Sequence, residues 1–334
     1  VAPASKTEGL PPKQITIAET LKAAGYAACH VGKWHLGVTP DKTADARFDH
    51  AFGPVEGCFD NYSHFYYSWG PFRHDLYRNG KEVHHPGEFF PDLMVREAGE
   101  FMEKHQDEPF FVHFSLTLPH HPYQGEPKWL ERYKKLPYPR NLYAAAVSTM
   151  DERIGALLKK LDDLSLSDNT IVIFQSDNGH PVEERAHFGG GSAGPYRGHK
   201  GSLFEGGIRV PAMISWPAGK IPQGAVRDQV AHACDWLPTI AELCGAPLIE
   251  KDIDGKSLVP VVRSADAATP HDVLHWHFGP PNEITWAVRQ GDWKLIGNVA
   301  ERGDKLSAED RKLFLSNLAI DPSEKENLAG ENPE

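Results

Sequence analysis

The chain lacks most of the features that would place a 334-residue sequence in a specialised protein class. It has only four cysteines, Cys29, Cys58, Cys234 and Cys244, and no two are closely paired. That excludes a disulfide scaffold and a cysteine zinc cluster, and in a chain of this size such residues read as small buried hydrophobes. Basic residues are outnumbered, 35 against 46 acidic, for a net charge of -11. With so little positive charge there is no surface to neutralise a phosphate backbone, so nucleic acid is not an expected partner. The longest apolar stretches, such as 109–118, fall far short of the roughly 20 residues that cross a bilayer, and no membrane span is expected. No internal repeat, low-complexity tract, secretory leader or initiating methionine is visible. What is present is a composition of 40% hydrophobic and 10% aromatic residues, ample for the core of one large domain or two.

Periodicity predicts the elements. Thr16-x-x-Glu19 has the form of a capping box, and Ile17, Leu21 and Ala24 then share one helical face until Gly25. A strand over 26–31 follows. A second helix is predicted over 92–105, with Leu93, Ala98, Phe101 and Met102 facing inward, and then a strand over 110–116. Val147, Met150, Ile154, Leu157, Leu158 and Leu161 recur at helical spacing in a third helix that leads into a strand over 171–174. Helices alternating with apolar strands predict an α/β fold, a largely parallel sheet sandwiched by helices. Short β-like segments over 273–278, 285–289 and 293–296 predict a small antiparallel C-terminal β subdomain, and the division is drawn at 1–268 and 269–334. Loops over 59–74 and 79–85, rich in aromatics and histidine, read as pocket walls. The polar tail over 323–334 reads as loosely held.

Chemistry concentrates after the strands. Lys33 and His35 follow the first, His120 and His121 the second, and Asp177-Asn178-Gly179 the third. Parallel strands bring their C-terminal ends to a common edge, where open α/β sheets bind ligands. An acid and an amide there offer oxygens to a hard cation, although an isolated Asp-Asn-Gly also suits an Asx-turn. Lys200, in the loop Arg197-Gly198-His199-Lys200-Gly201-Ser202, adds positive charge beside those oxygens, as a site for an anionic substrate requires. Ser202 has no adjacent base to make it a nucleophile. Arg209 reads as the ion-pair partner of Glu205, and His275-Trp276-His277 as packing or a substrate contact.

These strings resemble those of the type I sulfatases, the formylglycine-dependent branch of the alkaline phosphatase superfamily. Gly32-Lys33-Trp34-His35-Leu36-Gly37 is similar to the family's Gly-Lys-Trp-His-Leu-Gly signature, and Leu118-Pro119-His120-His121-Pro122 to its second histidine segment. Ala233-Cys234-Asp235-Trp236-Leu237-Pro238-Thr239 resembles its Val-Asp-Leu-Leu-Pro-Thr segment. Asp321-Pro322 with Asn327-Leu328-Ala329 resembles its closing pattern. The resemblance implies an alkaline phosphatase-like fold, a sulfuric ester hydrolase acting on an aryl or carbohydrate sulfate, and placement in the periplasm or outside the cell. It assigns Lys33 and Lys200 to the sulfate oxygens, His35 to the hydrated formylglycine and His120 to protonation of the leaving alcohol. Asp177 and Asn178 become ligands of Ca²⁺, with Mg²⁺ as the alternative.

One departure matters. The family's Cys-x-Pro-Ser-Arg segment, source of the formylglycine, is absent: none of the four cysteines is followed by that proline, serine and arginine. The paired aspartates that supply half the metal ligands are missing too. In family members both precede the segment that residues 1–12 resemble, so the resemblance implies a chain that starts late and is inactive by itself. Two other readings stay open, a phosphoesterase or phosphonate hydrolase of the same superfamily and a non-catalytic binder of sulfated glycans.

Overall fold

The computed structural model describes residues 10–11, 13–34, 36, 47–53, 76–249, 252–279, 283–300 and 306–332. His35 and the aromatic segment 59–74 lie outside them. The first helix, α1 (Ile17–Lys22), starts on the expected capping box: Thr16 Oγ1 accepts from the Glu19 N–H, and the Glu19 carboxylate accepts from the Thr16 N–H at 2.8 Å. Such a cap contributes about 1 kcal/mol. Past Gly25 the chain enters β1 (Ala27–Gly32), where Ala28, Cys29, His30 and Val31 are all buried. Unbroken burial is the mark of a strand covered on both faces.

On one side of β1 lies β2 (His50–Gly53), parallel to it, followed by β3 (Leu76–Arg78), antiparallel to β2, and β4 (Lys81–Val83), antiparallel to β3. The last two form a hairpin closed by Asn79-Gly80, with φ of 51° and 75°. Positive φ at both central residues is what a tight two-residue hairpin turn demands. The stretch over 79–85, expected as a wall loop, therefore begins inside the sheet. Next, α2 (Phe90–Lys104) carries Pro91 in its first turn, where a missing N–H is harmless. Its Leu93, Met94, Ala98 and Phe101 pack with Cys29, Val31 and Phe52 in the main core. Each large side chain buried there contributes roughly 1.5–3 kcal/mol. Glu97, buried on the same helix, ties it to the sheet by accepting from Arg78 and bonding His50 at 3.0 Å. Burial alone would raise this carboxyl, but those two partners outweigh it and hold it at about 2.

The strand β5 (Phe110–Ser115) pairs in parallel along the other side of β1, completing the order β4-β3-β2-β1-β5. Two helices follow, α3 (Pro127–Tyr133) and α4 (Arg140–Asp163). The buried residues of α4 are Ala145, Ala146, Thr149, Arg153 and Leu161, a narrower stripe than the expected leucine row, and Leu158 is 40% exposed. Arg153 accounts for the difference. Its guanidinium pairs with Asp92 of α2 at 2.8 Å and with Glu126 ahead of α3, so ion pairs occupy the seam between the helices.

His30 on β1 meets His113 on β5 across the parallel register, Nδ1 to Nδ1 at 2.9 Å. With only 1% of its surface exposed, His30 is pushed down to about 3, first by burial and then by the neighbouring imidazole. A histidine held neutral in the fold costs stability wherever the unfolded chain takes up a proton and the fold does not, so the loss starts below about 6.5 and grows until about 3. Between pH 7 and pH 5 the fold is expected to lose about 2 kcal/mol from this residue. Urea unfolding at the two pH values checks this; a His30→Gln chain with the same pH slope would show that the loss arises elsewhere.

A second sheet is separate. The strand β6 (Val172–Gln175) does not extend the parallel sheet as its apolar run predicts; across the linking helix α5 (Glu205–Ile208) it pairs antiparallel with β7 (Ala212–Ser215). The sheets are thus mixed in direction. Trp236, at the start of α6 (Trp236–Leu243), donates its indole N–H to Gln175 and fastens that helix to β6. A short helix α7 (Val259–Arg263) follows.

The C-terminal sheet is antiparallel, as the sequence predicts, and adds a fourth strand to the three expected, in the order β11-β10-β9-β8. Its strands are β8 (Val273–Phe278), β9 (Thr285–Gln290), β10 (Trp293–Gly297) and, after α8 (Ala308–Lys312), β11 (Leu313–Asn317). Leu203 and Phe204, just past Lys200, pack into this sheet against Ala287, Ile296 and Phe314. The tail is not loose. Glu324 has no exposed surface and pairs with Lys294 at 2.8 Å, while Asn327 Oδ1 accepts from the Leu315 N–H at 3.0 Å. An acid and an amide in a polar sequence became anchors because buried donors waited for them.

Candidate active site

At the end of β1, Gly32 has a φ of 113°, and a Cβ there would run into the carbonyl oxygen of Ser115 at the end of β5. Only glycine permits that closeness. It lets the Lys33 N–H bond the same carbonyl at 3.1 Å, so Lys33 leaves β1 where β5 also ends. Five residues beyond Ser115, the His120 N–H closes a turn onto Thr117 O at 3.0 Å.

The imidazole of His120 is oriented at both nitrogens. Nδ1–H donates to the His121 carbonyl at 2.7 Å, which leaves Nε2 as the acceptor facing Lys200 Nζ at 3.4 Å. Burial pushes this group down, the bond to His121 partly opposes it, and the Lys200 and Lys33 ammonium groups add to the depression, bringing it to about 3. His121 is 4% exposed, with its ring 4.2 Å from that of His120. Of the two adjacent histidines, it is His120 that meets the lysine.

Asp177 and Asn178 follow β6, and Gly179 after them is forced by contact: a Cβ would collide with the carbonyl oxygen of Gly206. The Gly179 N–H bonds Gly207 O at 3.0 Å, and the Lys200 N–H bonds His180 O at 2.9 Å. The acid-amide turn, the Lys200 loop and the Glu205-Gly206-Gly207 segment are therefore locked backbone to backbone. Arg209 pairs with Glu205 at 2.6 Å, as its position in the sequence suggests.

The structure thus brings Lys33, His120 and Lys200 to one place and joins Asp177 and Asn178 to them through the bond from Lys200 to His180. His35 is outside the described residues. Chemically, two ammonium groups beside a neutral imidazole with a lone pair turned inward form a cradle for an oxyanion and a group able to move a proton.

The described residues do not complete a metal site. No group of three or more histidine, cysteine, aspartate or glutamate side chains among them is placed to hold an ion. Asp177 and Asn178 alone fall well short of the six to eight or so oxygens that Ca²⁺ takes. Nor is a thiolate poised there. Burial drives the Cys29 thiol up, and burial with the charge of Asp235 pushes Cys234 up to about 11. Ser202 is buried and accepts from the Phe204 N–H at 3.2 Å, a structural role.

Two neighbours escaped the sequence reading. His180 follows the Asp177-Asn178-Gly179 turn directly, and that adjacency was signal enough. Phe278 comes from the edge strand β8 and is 52% exposed, with its ring facing Gly201 closely enough that a side chain there would touch it. No local pattern marks it, because the C-terminal sheet is placed against the Lys200 loop only by tertiary packing.

Comparison with known proteins agrees over almost the whole chain. The family profile described as Sulfatase matches residues 2–246, and one described as N-sulphoglucosamine sulphohydrolase, C-terminal, matches 198–333. Arylsulfatase A of Homo sapiens is 30% identical over 371 residues, covering 98% of this chain and 69% of the relative. N-acetylgalactosamine-6-sulfatase of Canis lupus familiaris is 33% identical over 279 residues, covering 76% of this chain and 49% of the relative. The chain thus spans about half the length of the latter. Among solved structures, Ps i-CgsB in complex with k-i-k-neocarrahexaose superposes with a TM-score of 0.83 at 26% identity, covering 99% of this chain and 73% of that one. The architecture, a mixed sheet with helices and a small antiparallel C-terminal sheet, is the alkaline phosphatase-like fold of these neighbours.

Proposed function

Because the chain belongs to the sulfatase family, we propose that this site binds the sulfate group of an ester and protonates its leaving oxygen. The observation that carries the reading is Lys200 Nζ at 3.4 Å from His120 Nε2, with Lys33 acting on the same imidazole. Lys33 and Lys200 hold the sulfate oxygens. His120, fixed by its bond to the His121 carbonyl, supplies the proton from Nε2. An anion seated between the cations and the ring replaces repulsion with attraction, so binding raises the imidazole from its depressed value and loads it with the proton it must give away. Asp177 and Asn178 are the part of a Ca²⁺ or Mg²⁺ site that these residues would contribute.

A relative named for N-acetylgalactosamine 6-sulfate chemistry and a neighbour solved with a carrahexaose support a carbohydrate sulfate as substrate. Export to the periplasm or beyond the cell fits that substrate class. No helix among the described residues is long and apolar enough to cross a membrane. The sequence holds no Cys-x-Pro-Ser-Arg segment, and on that ground we assign these 334 residues no turnover of their own.

The test is anion binding. Inorganic sulfate, followed by calorimetry, is expected to bind more tightly as the pH falls, because His120 takes up a proton on binding. Lys200→Ala should weaken it about 10- to 100-fold, the worth of a charge-assisted hydrogen bond. Binding indifferent to both pH and Lys200 would remove the basis for the reading.

A further inference from the structure

Outside the sulfate cradle, the loop that leaves Asn178 and returns at Lys200 carries a surface feature that folding alone does not explain. Phe188 at its tip is 73% exposed, and Tyr138, at the foot of α4, is 63% exposed. They are the two most exposed Phe, Tyr or Trp side chains among the described residues. Exposed His187, next to Phe188 in the chain, brings its ring 5.3 Å from that of Tyr138. His187 and Phe188 hold φ of 54° and 60°, left-handed values that an L side chain adopts against steric resistance. Consecutive strained residues that present an aromatic ring to water are a combination found where a site rather than a core is being built.

The loop is firmly held. The Phe188 N–H bonds Glu183 O at 3.0 Å, Tyr123 OH donates to Ala186 O at 3.3 Å, and Arg140 Nη1 donates to Gly190 O at 2.8 Å. Its base is shut by the Lys200-to-His180 bond. The exposed rings are therefore preorganised, and the element bearing His187 and Phe188 closes at its base on the backbone of Lys200, whose side chain belongs to the oxyanion cradle. Arg140 is exposed beside them, a local cation on a chain whose net charge is -11.

We propose that Tyr138, His187 and Phe188 form a stacking platform for the sugar rings of an oligosaccharide whose sulfated unit occupies the cradle, with Arg140 meeting a further anionic group on the same chain. Pyranose rings present flat C–H faces, and rigid aromatic side chains engage such faces with little loss of conformational freedom. A lone sugar sulfate would fill the cradle without reaching the platform. The proposal rests on the sulfate-ester reading for the position of the first ring, whereas the stacking itself does not depend on sulfate.

Calorimetry on the full 334-residue chain tests it with a chondroitin 6-sulfate hexasaccharide, the same hexasaccharide without sulfate, and N-acetylgalactosamine 6-sulfate. Tyr138→Ala and Phe188→Ala, both at exposed positions, should each weaken both hexasaccharides about tenfold and leave the monosaccharide unchanged. Unchanged hexasaccharide affinity in both variants overturns the platform, as does a wild-type chain that binds monosaccharide and hexasaccharide equally well. Lys200→Ala separates the two ideas: it should erase the preference for the sulfated over the unsulfated hexasaccharide. If that preference survives, the cradle reading fails while the platform is still judged by the unsulfated sugar.

Discussion

Replacing Lys294 with alanine is expected to destabilise the protein by about 3–5 kcal/mol, the cost of leaving buried charge without its partner. Lys294 has no exposed surface, and its ammonium sits 2.9 Å from Glu205 and 2.8 Å from Glu324, which are 2% and 0% exposed. Glu205 would retain Arg209 at 2.6 Å and Arg289 at 3.7 Å. Glu324 would be left with hydrogen bonds from the Glu205 N–H and Ser316. Even with Lys294 present, burial raises the Glu324 carboxyl. Without it the shift is larger, so the variant fold binds a proton more readily than its unfolded chain and gains stability as the pH falls. The deficit relative to wild type should therefore be smaller at pH 5 than at pH 7.5 in urea unfolding. Exchanging Lys294, Glu205 and Glu324 together for Met, Gln and Gln should recover much of the loss. A deficit independent of pH would mean that Lys294 acts by packing alone. The consequence reaches the site, because Phe204 and Arg197 beside Lys200 lean on this network: Arg197 donates to Glu324 O at 3.1 Å and stacks over Phe204 and Phe314.

The second large effect is catalytic. The 334 residues as they stand are expected to release no sulfate from an aryl sulfate. A form that also carries a Cys-x-Pro-Ser-Arg segment and its metal ligands should do so, and should prefer sulfate to phosphate esters. In that form His120→Ala should lower kcat by about 10²- to 10⁴-fold, the usual worth of a positioned general acid, while KM changes little because the lysines still hold the sulfate. The defect should shrink for esters whose alcohol leaves without help. A variant equally slow on good and poor leaving groups would show that His120 serves the site's shape and not its proton transfer. Measured turnover by the unextended chain would place a nucleophile within these residues and overturn the assignment.

Much of this was legible beforehand because it is local. The capping box at Thr16 and Glu19, the inward face of α2 and the strand over 110–116 are each specified within a short window by periods of 3.6 and 2 residues. The Asn79-Gly80 hairpin was equally local and simply misread as loop. The expected partnership of the strand after Thr170 was a different kind of miss. Its apolar run marks it as a strand, not what it pairs with; the structure leaves it half-buried and gave it β7. The tail failed for the opposite reason, since nothing in Glu324 itself betrays a buried lysine waiting for it from β10.

By itself the sequence determined the family the chain belongs to, its α/β class and several of its helices and strands, and it singled out the residues proposed to carry the chemistry, because motif and periodicity are properties of neighbouring residues. Only the tertiary structure decided that His120 and not His121 meets Lys200, that Phe278 borders the Lys200 loop, and that the ring of Tyr138 comes to lie beside that of His187. Those outcomes depend on contacts between segments far apart in the chain, and such contacts are settled by which surfaces fit, bond and exclude water together.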